Sequence, residues 1–273
     1  MGTDDSRPGQ DRSMFTDVVD LRDFYESRRG QVAQRLIRTR IRRLWPDARG
    51  LSMLGLGFAT PYLGHYREEA ERVVAAMPAS QGVLPWPKTG LNLVALAEET
   101  ELPFADMSFD RVMLVHALEG TENLRPLLRE AWRVLGGGGR LLVVTPNRRG
   151  VWARSDRTPF GHGQPYSLGQ LSRLLRDTLF TPVQSAVALF SPPQAVVPLA
   201  RWSRQIDDLG ERWASTFAGV VMVEAAKQIY AGTAVPQAAR KRRRILVPIQ
   251  GGAVAAADRH PAARLPATRP DEA

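Results

Sequence analysis

Two short apolar runs, Phe109 to His116 and Arg140 to Thr145, enclose a segment whose leucines recur at helical spacing, and this arrangement constrains the fold more than any other feature. Within Glu122 to Leu135, the residues Leu124, Leu127, Leu128, Ala131, Val134 and Leu135 share one helical stripe, and Gly136 to Gly139 end it with a tight turn. Strand, helix and strand in that order make a βαβ unit. Such crossovers are right-handed and build parallel sheets covered on both faces. The fold class is therefore α/β.

Further strands follow from the same logic. Leu51 to Leu56 is too short for a helix and stops at Gly57, and Val73 to Met77 and Asn92 to Ala97 are similar runs. Thr181 to Phe190 and Phe217 to Ala225 add two more, the last expected to run antiparallel and close the sheet edge. Val18 to Trp45 reads as an amphipathic helix or a pair broken near Gly30, and Ser167 can cap a helix reaching Asp177. Pro192 to Trp213 should contain a helix with Trp202 and Trp213 packed inward. Pro78, Pro85 and Pro87 leave no room for a helix after the second strand. Residues 1–13 read as a mobile leader, 14–235 as the folded domain and 236–273 as a basic, disordered tail.

Composition narrows the chemistry. With 273 residues, 44% of them hydrophobic, one core of ordinary size is affordable. The absence of cysteine excludes disulfides, thiolate metal sites and cysteine nucleophiles. The four histidines show no ligand spacing, so no metal is expected. The polar N-terminus is no secretory signal and no apolar run approaches a membrane span, so the cytoplasm is the expected compartment. The net charge of +9 is concentrated beyond Pro236, where eight basic residues face three acidic ones. Arg240 to Arg244 could meet nucleic acid or an anionic surface through charge alone, or stay solvated.

The segment from Glu98 through Leu102-Pro103-Phe104 to Phe109-Asp110 resembles the third-to-fourth-strand region of class I S-adenosylmethionine-dependent methyltransferases of the type 11 subgroup. So do Val115-His116-Ala117-Leu118-Glu119, then Arg133-Val134-Leu135 and its glycines. The resemblance implies a Rossmann-like sheet of seven mostly parallel strands with helices on both faces and the last strand antiparallel. It implies S-adenosylmethionine as cofactor. Glu98, four positions before Leu102, would accept from the adenine amino group, and the Glu99 backbone amide would lie beside the ring. His116 would close the fourth strand at the ligand edge.

Elsewhere the sequence departs from the family. The glycine-rich loop after the first strand normally reads acidic-x-Gly-x-Gly-x-Gly, because side chains there block the cofactor. With Gly57 as the first of those glycines, Gly55 replaces the acid, Ala59 the second glycine and Pro61 the third. Met77 or Pro78 takes the place of the acid that holds the ribose. Each lost contact is worth about 1–3 kcal/mol, so two weaken binding roughly a hundredfold. Tyr25 and Tyr62 are candidates to stack on the ligand instead.

Methyl transfer needs orientation and a dry pocket more than a catalytic triad. The candidates for acid–base or acceptor contacts are His116 together with His162 and Tyr166, the last two in a glycine- and proline-rich loop that also carries Arg154 and Arg157. Two functions are compatible with these residues. One is methyl transfer to a small-molecule acceptor; the other is a catalytically inactive relative that binds or regulates a protein partner.

Overall fold

The computed structural model describes residues 17–213 and 215–229. The predicted leader, the tail with Arg240 to Arg244, and the Trp213 side chain lie outside the described residues.

The chain runs α1 (Val18–Glu26), α2 (Arg28–Leu44), β1 (Ser52–Gly57), α3 (Thr60–Leu63), β2 (Arg72–Pro78), β3 (Val94–Ala97), β4 (Phe109–Val115), α4 (Leu124–Val134) and β5 (Leu135–Pro146). It continues with α5 (Leu168–Asp177), β6 (Phe180–Ala188), α6 (Ser203–Trp213) and β7 (Val220–Lys227). The helix pair at the start breaks at Ser27, three residues before Gly30, and the Ser27 hydroxyl accepts from the Gly30 amide at 3.1 Å. A capping box formed by Ser167 and Gln170 starts α5 where the sequence placed it.

Seven strands form one sheet in the order β3-β2-β1-β4-β5-β7-β6, parallel except for β7. The expected antiparallel last strand is present, but it does not close the edge: β7 slots between β5 and β6. The reason is compositional. Nearly every residue of β7 is buried, as an interior strand requires, whereas β6 carries Pro182 and exposed Val183, Gln184 and Ser185 and suits an edge.

Two further expectations are corrected. Gly136 to Gly139 form no tight turn but extend into β5, with a register shift against β4 between the pairs Phe109–Leu135 and Arg111–Arg140. Trp202 does not pack inward. It is 54% exposed in a short helical turn before α6, with the Arg201 guanidinium 5.9 Å from its ring.

Alternation along the strands sends side chains to two cores, one on each face of the sheet. Met53, Val73, Met77, Met113 and Val144 join α1, α2 and α3, while Leu54, Val112, Leu114 and Val143 join α4 and α5. No helix intervenes between β2 and β3, as the prolines required. No helix among the described residues is long and apolar enough to cross a membrane.

Candidate functional site

The site lies at the carboxyl edge of the central strands, and its shape begins with two glycines. Gly57 ends β1 at φ +75°, and a Cβ there would stand 2.4 Å from the Val115 carbonyl oxygen. The next amide, Phe58, donates to that same oxygen at 2.8 Å, so β1 is drawn across the end of β4. Gly55 lies two residues deeper in the strand, where a Cβ would meet Leu63 and the Ala59 Cβ. It stands beneath α3 and lets that helix rest directly on β1. Ala59 is fully buried at the start of α3.

Above this edge runs a buried chain of polar groups. The Tyr25 and Tyr62 hydroxyls lie 2.9 Å apart, and the Tyr25 hydroxyl lies 2.9 Å from His116 Nε2. His116 Nδ1 is 3.0 Å from a Glu119 carboxylate oxygen, and the Thr145 hydroxyl donates to the other at 3.4 Å. A carboxylate only accepts, so Nδ1 carries a proton, and in the neutral imidazole Nε2 then accepts from Tyr25. Tyr25, His116 and Glu119 are 6%, 4% and 7% exposed. Burial pushes the phenols of Tyr25 and Tyr62 well above the usual tyrosine range. His116 adopts φ +50°, a left-handed conformation that costs about 1–2 kcal/mol outside glycine. Phe58 stacks on Tyr25 with ring centres 5.7 Å apart, and Phe24 and Phe160 close the cluster edge-on.

Two hollows flank the end of β2. Phe58, Pro61, Met77, Leu84 and Trp86, with Tyr25, line a cavity of about 310 Å³. Pro78, Ser80, Glu98, Glu99, Glu122 and Asn123 line a second of about 110 Å³. The positions that the sequence marks as altered, Pro61 and Met77, thus face open space on one side, and the two glutamates face it on the other. Glu99 accepts from the Thr121 hydroxyl, while Glu98 is exposed. After β2, the Gln81 side chain donates to the His116 carbonyl and its own carbonyl accepts from the Val18 amide at 2.8 Å. The turn after β2 is thereby tied to both α1 and β4.

At the opposite, amino-terminal end of β4 and β5, the loop between β3 and β4 is fixed by Arg133. Its guanidinium donates to the carbonyls of Leu102 and Phe104 at 2.9 and 2.8 Å, to Asp106 at 2.7 Å and to Glu130 at 2.7 and 2.8 Å. Glu130 in turn accepts from the Leu102 amide at 2.8 Å. Hydrogen bonding to Arg133 holds the Glu130 carboxyl below the usual range.

The loop after β5 reaches the edge through the Gln164 amide, which donates to the Glu119 carbonyl at 2.7 Å. His162 shares a narrow slit with Gln81, His116 and Glu119, although its ring is exposed and bonds the Asp156 carbonyl at 3.0 Å. Tyr166 is half-buried, and burial raises its phenol. Arg154 and Arg157 point to solvent and do not converge on the edge. Sequence reasoning missed Gln81 and the role of Glu119. Glu119 had a signal, its three-residue spacing from His116; Gln81 had none.

Residues 54–143 match the family described as a methyltransferase domain. Over 140 residues the chain is 32% identical to demethylmenaquinone methyltransferase of Corynebacterium efficiens, covering 51% of this chain and 61% of that protein. It is 27% identical over 146 residues to ajmaline N-methyltransferase of Rauvolfia serpentina, covering 51% and 45%. The chain spans about half to three-fifths of these relatives. A methyltransferase structure from Thermotoga maritima superposes with TM-score 0.54 at 17% identity, over 77% of this chain and 96% of that one.

Proposed function

We propose that the chain, whose residues 54–143 match a methyltransferase domain, is a class I S-adenosylmethionine-dependent methyltransferase that transfers a methyl group from that cofactor to a small-molecule acceptor. The observation that carries this reading is the pair of hollows flanking the end of β2, bounded on one side by Pro61 and Met77 and on the other by Glu98 and Glu99. In open α/β sheets ligands lie outside the carboxyl ends of the strands, where both hollows are. The residues fit the group in part. Glu98 and Glu99 would hold the adenine edge, and Phe58, Pro61 and Met77 would give the remainder an apolar wall in place of polar contacts. Tyr25 is itself a wall of the larger hollow, and Gln81 lines the slit beside His116 and Glu119. When bound, the cofactor supplies a methyl group on a sulfonium, already a good leaving group. The chain's own residues then bind, orient and keep water out.

The alternative is a catalytically inactive relative that binds or regulates a partner. Calorimetry of the full chain with S-adenosylhomocysteine separates the two. The proposal expects binding stronger than about 1 mM, weakened about tenfold in Glu98→Ala. No heat at that concentration would retire it in favour of the second reading.

A further inference from the structure

The buried chain at the end of β4 suggests what kind of acceptor the site accommodates. This inference rests on the methyl-transfer reading. A phenolic hydroxyl, that of Tyr25, already lies 2.9 Å from His116 Nε2. Glu119 keeps the proton on Nδ1, so Nε2 presents a lone pair to that hydroxyl. The surroundings suit a flat ring: Phe58 stacks at 28° to Tyr25, Phe24 meets it edge-on, and Phe160 lies 5.1 Å from the His116 ring. Tyr25 belongs to the nine-residue helix α1, which ends at the Ser27 break, and it lines the 310 Å³ cavity beside it. A ring of similar size thus has adjoining space from which to take its place.

We propose that His116 is the base for a hydroxyl-bearing aromatic acceptor, that Glu119 is its positioning residue, and that the Tyr25 phenol marks where the acceptor hydroxyl sits. The acceptor O–H bond breaks and its proton goes to Nε2. The acceptor oxygen bonds the methyl carbon as the carbon–sulfur bond breaks, the electron pair staying on sulfur. The positive charge passes from the sulfonium to an imidazolium beside the Glu119 carboxylate. The other titratable groups facing this place are Tyr62, His162 and Tyr166.

The test uses p-nitrophenol on the full chain carrying Tyr25→Ala, with no cofactor present. The phenol should bind in the vacated place and show its coloured phenolate band about one pH unit lower than in free solution, a roughly tenfold gain in ionised fraction. His116→Gln in the same background should remove the gain, and Glu119→Gln should cut it to about threefold, half a pH unit. Binding without the band, or no binding, would overturn the proposal. Should Tyr25→Ala not fold, Tyr25→Phe decides: with Nε2 released, carbethoxylation of His116 by diethyl pyrocarbonate should quicken about tenfold, and an unchanged rate overturns it. Because nitrophenol is read without cofactor, its failure and the failure of S-adenosylhomocysteine to bind are separate results.

Discussion

The two ends of the central strands are held by opposite means. At the amino-terminal end of β4 and β5, Arg133 makes five donated bonds to the loop before β4 and an adjacent carboxylate, partly open to water. At the carboxyl end the edge is sealed by aromatic rings and a chain of hydroxyls, an imidazole and one carboxylate, all buried. The first arrangement fixes a loop remote from the ligand edge. The second places titratable groups where they can change partners, and a buried network with several members is sensitive to each of them.

The comparison can be broken first at Gly57. Valine there must adopt φ +75° with its Cβ against the Val115 carbonyl, and we expect a loss of about 4 kcal/mol or no folding, read by urea denaturation. Next, Arg133→Met should cost about 2–3 kcal/mol, because it strands Glu130 and frees the Leu102-to-Phe104 loop; a loss under about 1 kcal/mol would show that the loop holds without it. Tyr25→Phe should cost less, about 1–2 kcal/mol, since the ring packing survives while two hydrogen bonds go.

The smallest effects are pH-dependent and have opposite signs at the two ends. The Glu130 carboxyl is held low by Arg133, so its contribution is complete above the unfolded value of about 4.3 and lost as pH falls through the folded one. Glu130→Gln should flatten acid destabilisation in urea titrations. The Tyr25 phenol is raised by burial, so its contribution is complete below about 10 and lost as pH rises toward the folded value. Tyr25→Phe should flatten the alkaline limb and leave the acid limb unchanged.

The same contrast explains what could be read from the sequence. The words Leu102-Pro103-Phe104 and Arg133-Val134-Leu135 stand about thirty positions apart, yet Arg133 bonds the carbonyls of Leu102 and Phe104 directly. Each word implies the other, which made that half of the fold legible. The position of the last strand was written only in composition, in the apolar run of β7 against the polar, Pro182-bearing β6, with no paired motif to announce it. Gly55 was read as a substitute for an acid, whereas it stands under α3, where sequence shows only a small residue in a strand. Gln81 was invisible because its partner is a backbone carbonyl on a distant strand.

The missing helix between β2 and β3 has a consequence for how such a protein diversifies. Leu84, Pro85, Trp86 and Lys88, which line the larger cavity, belong to an irregular crossing rather than to a packed helix. Substitutions in a surface connection disturb the scaffold less than those in an element that must also fill a core. The rim that meets a ligand can therefore be rewritten without renegotiating the sheet, and close relatives could keep one architecture while exchanging one guest for another.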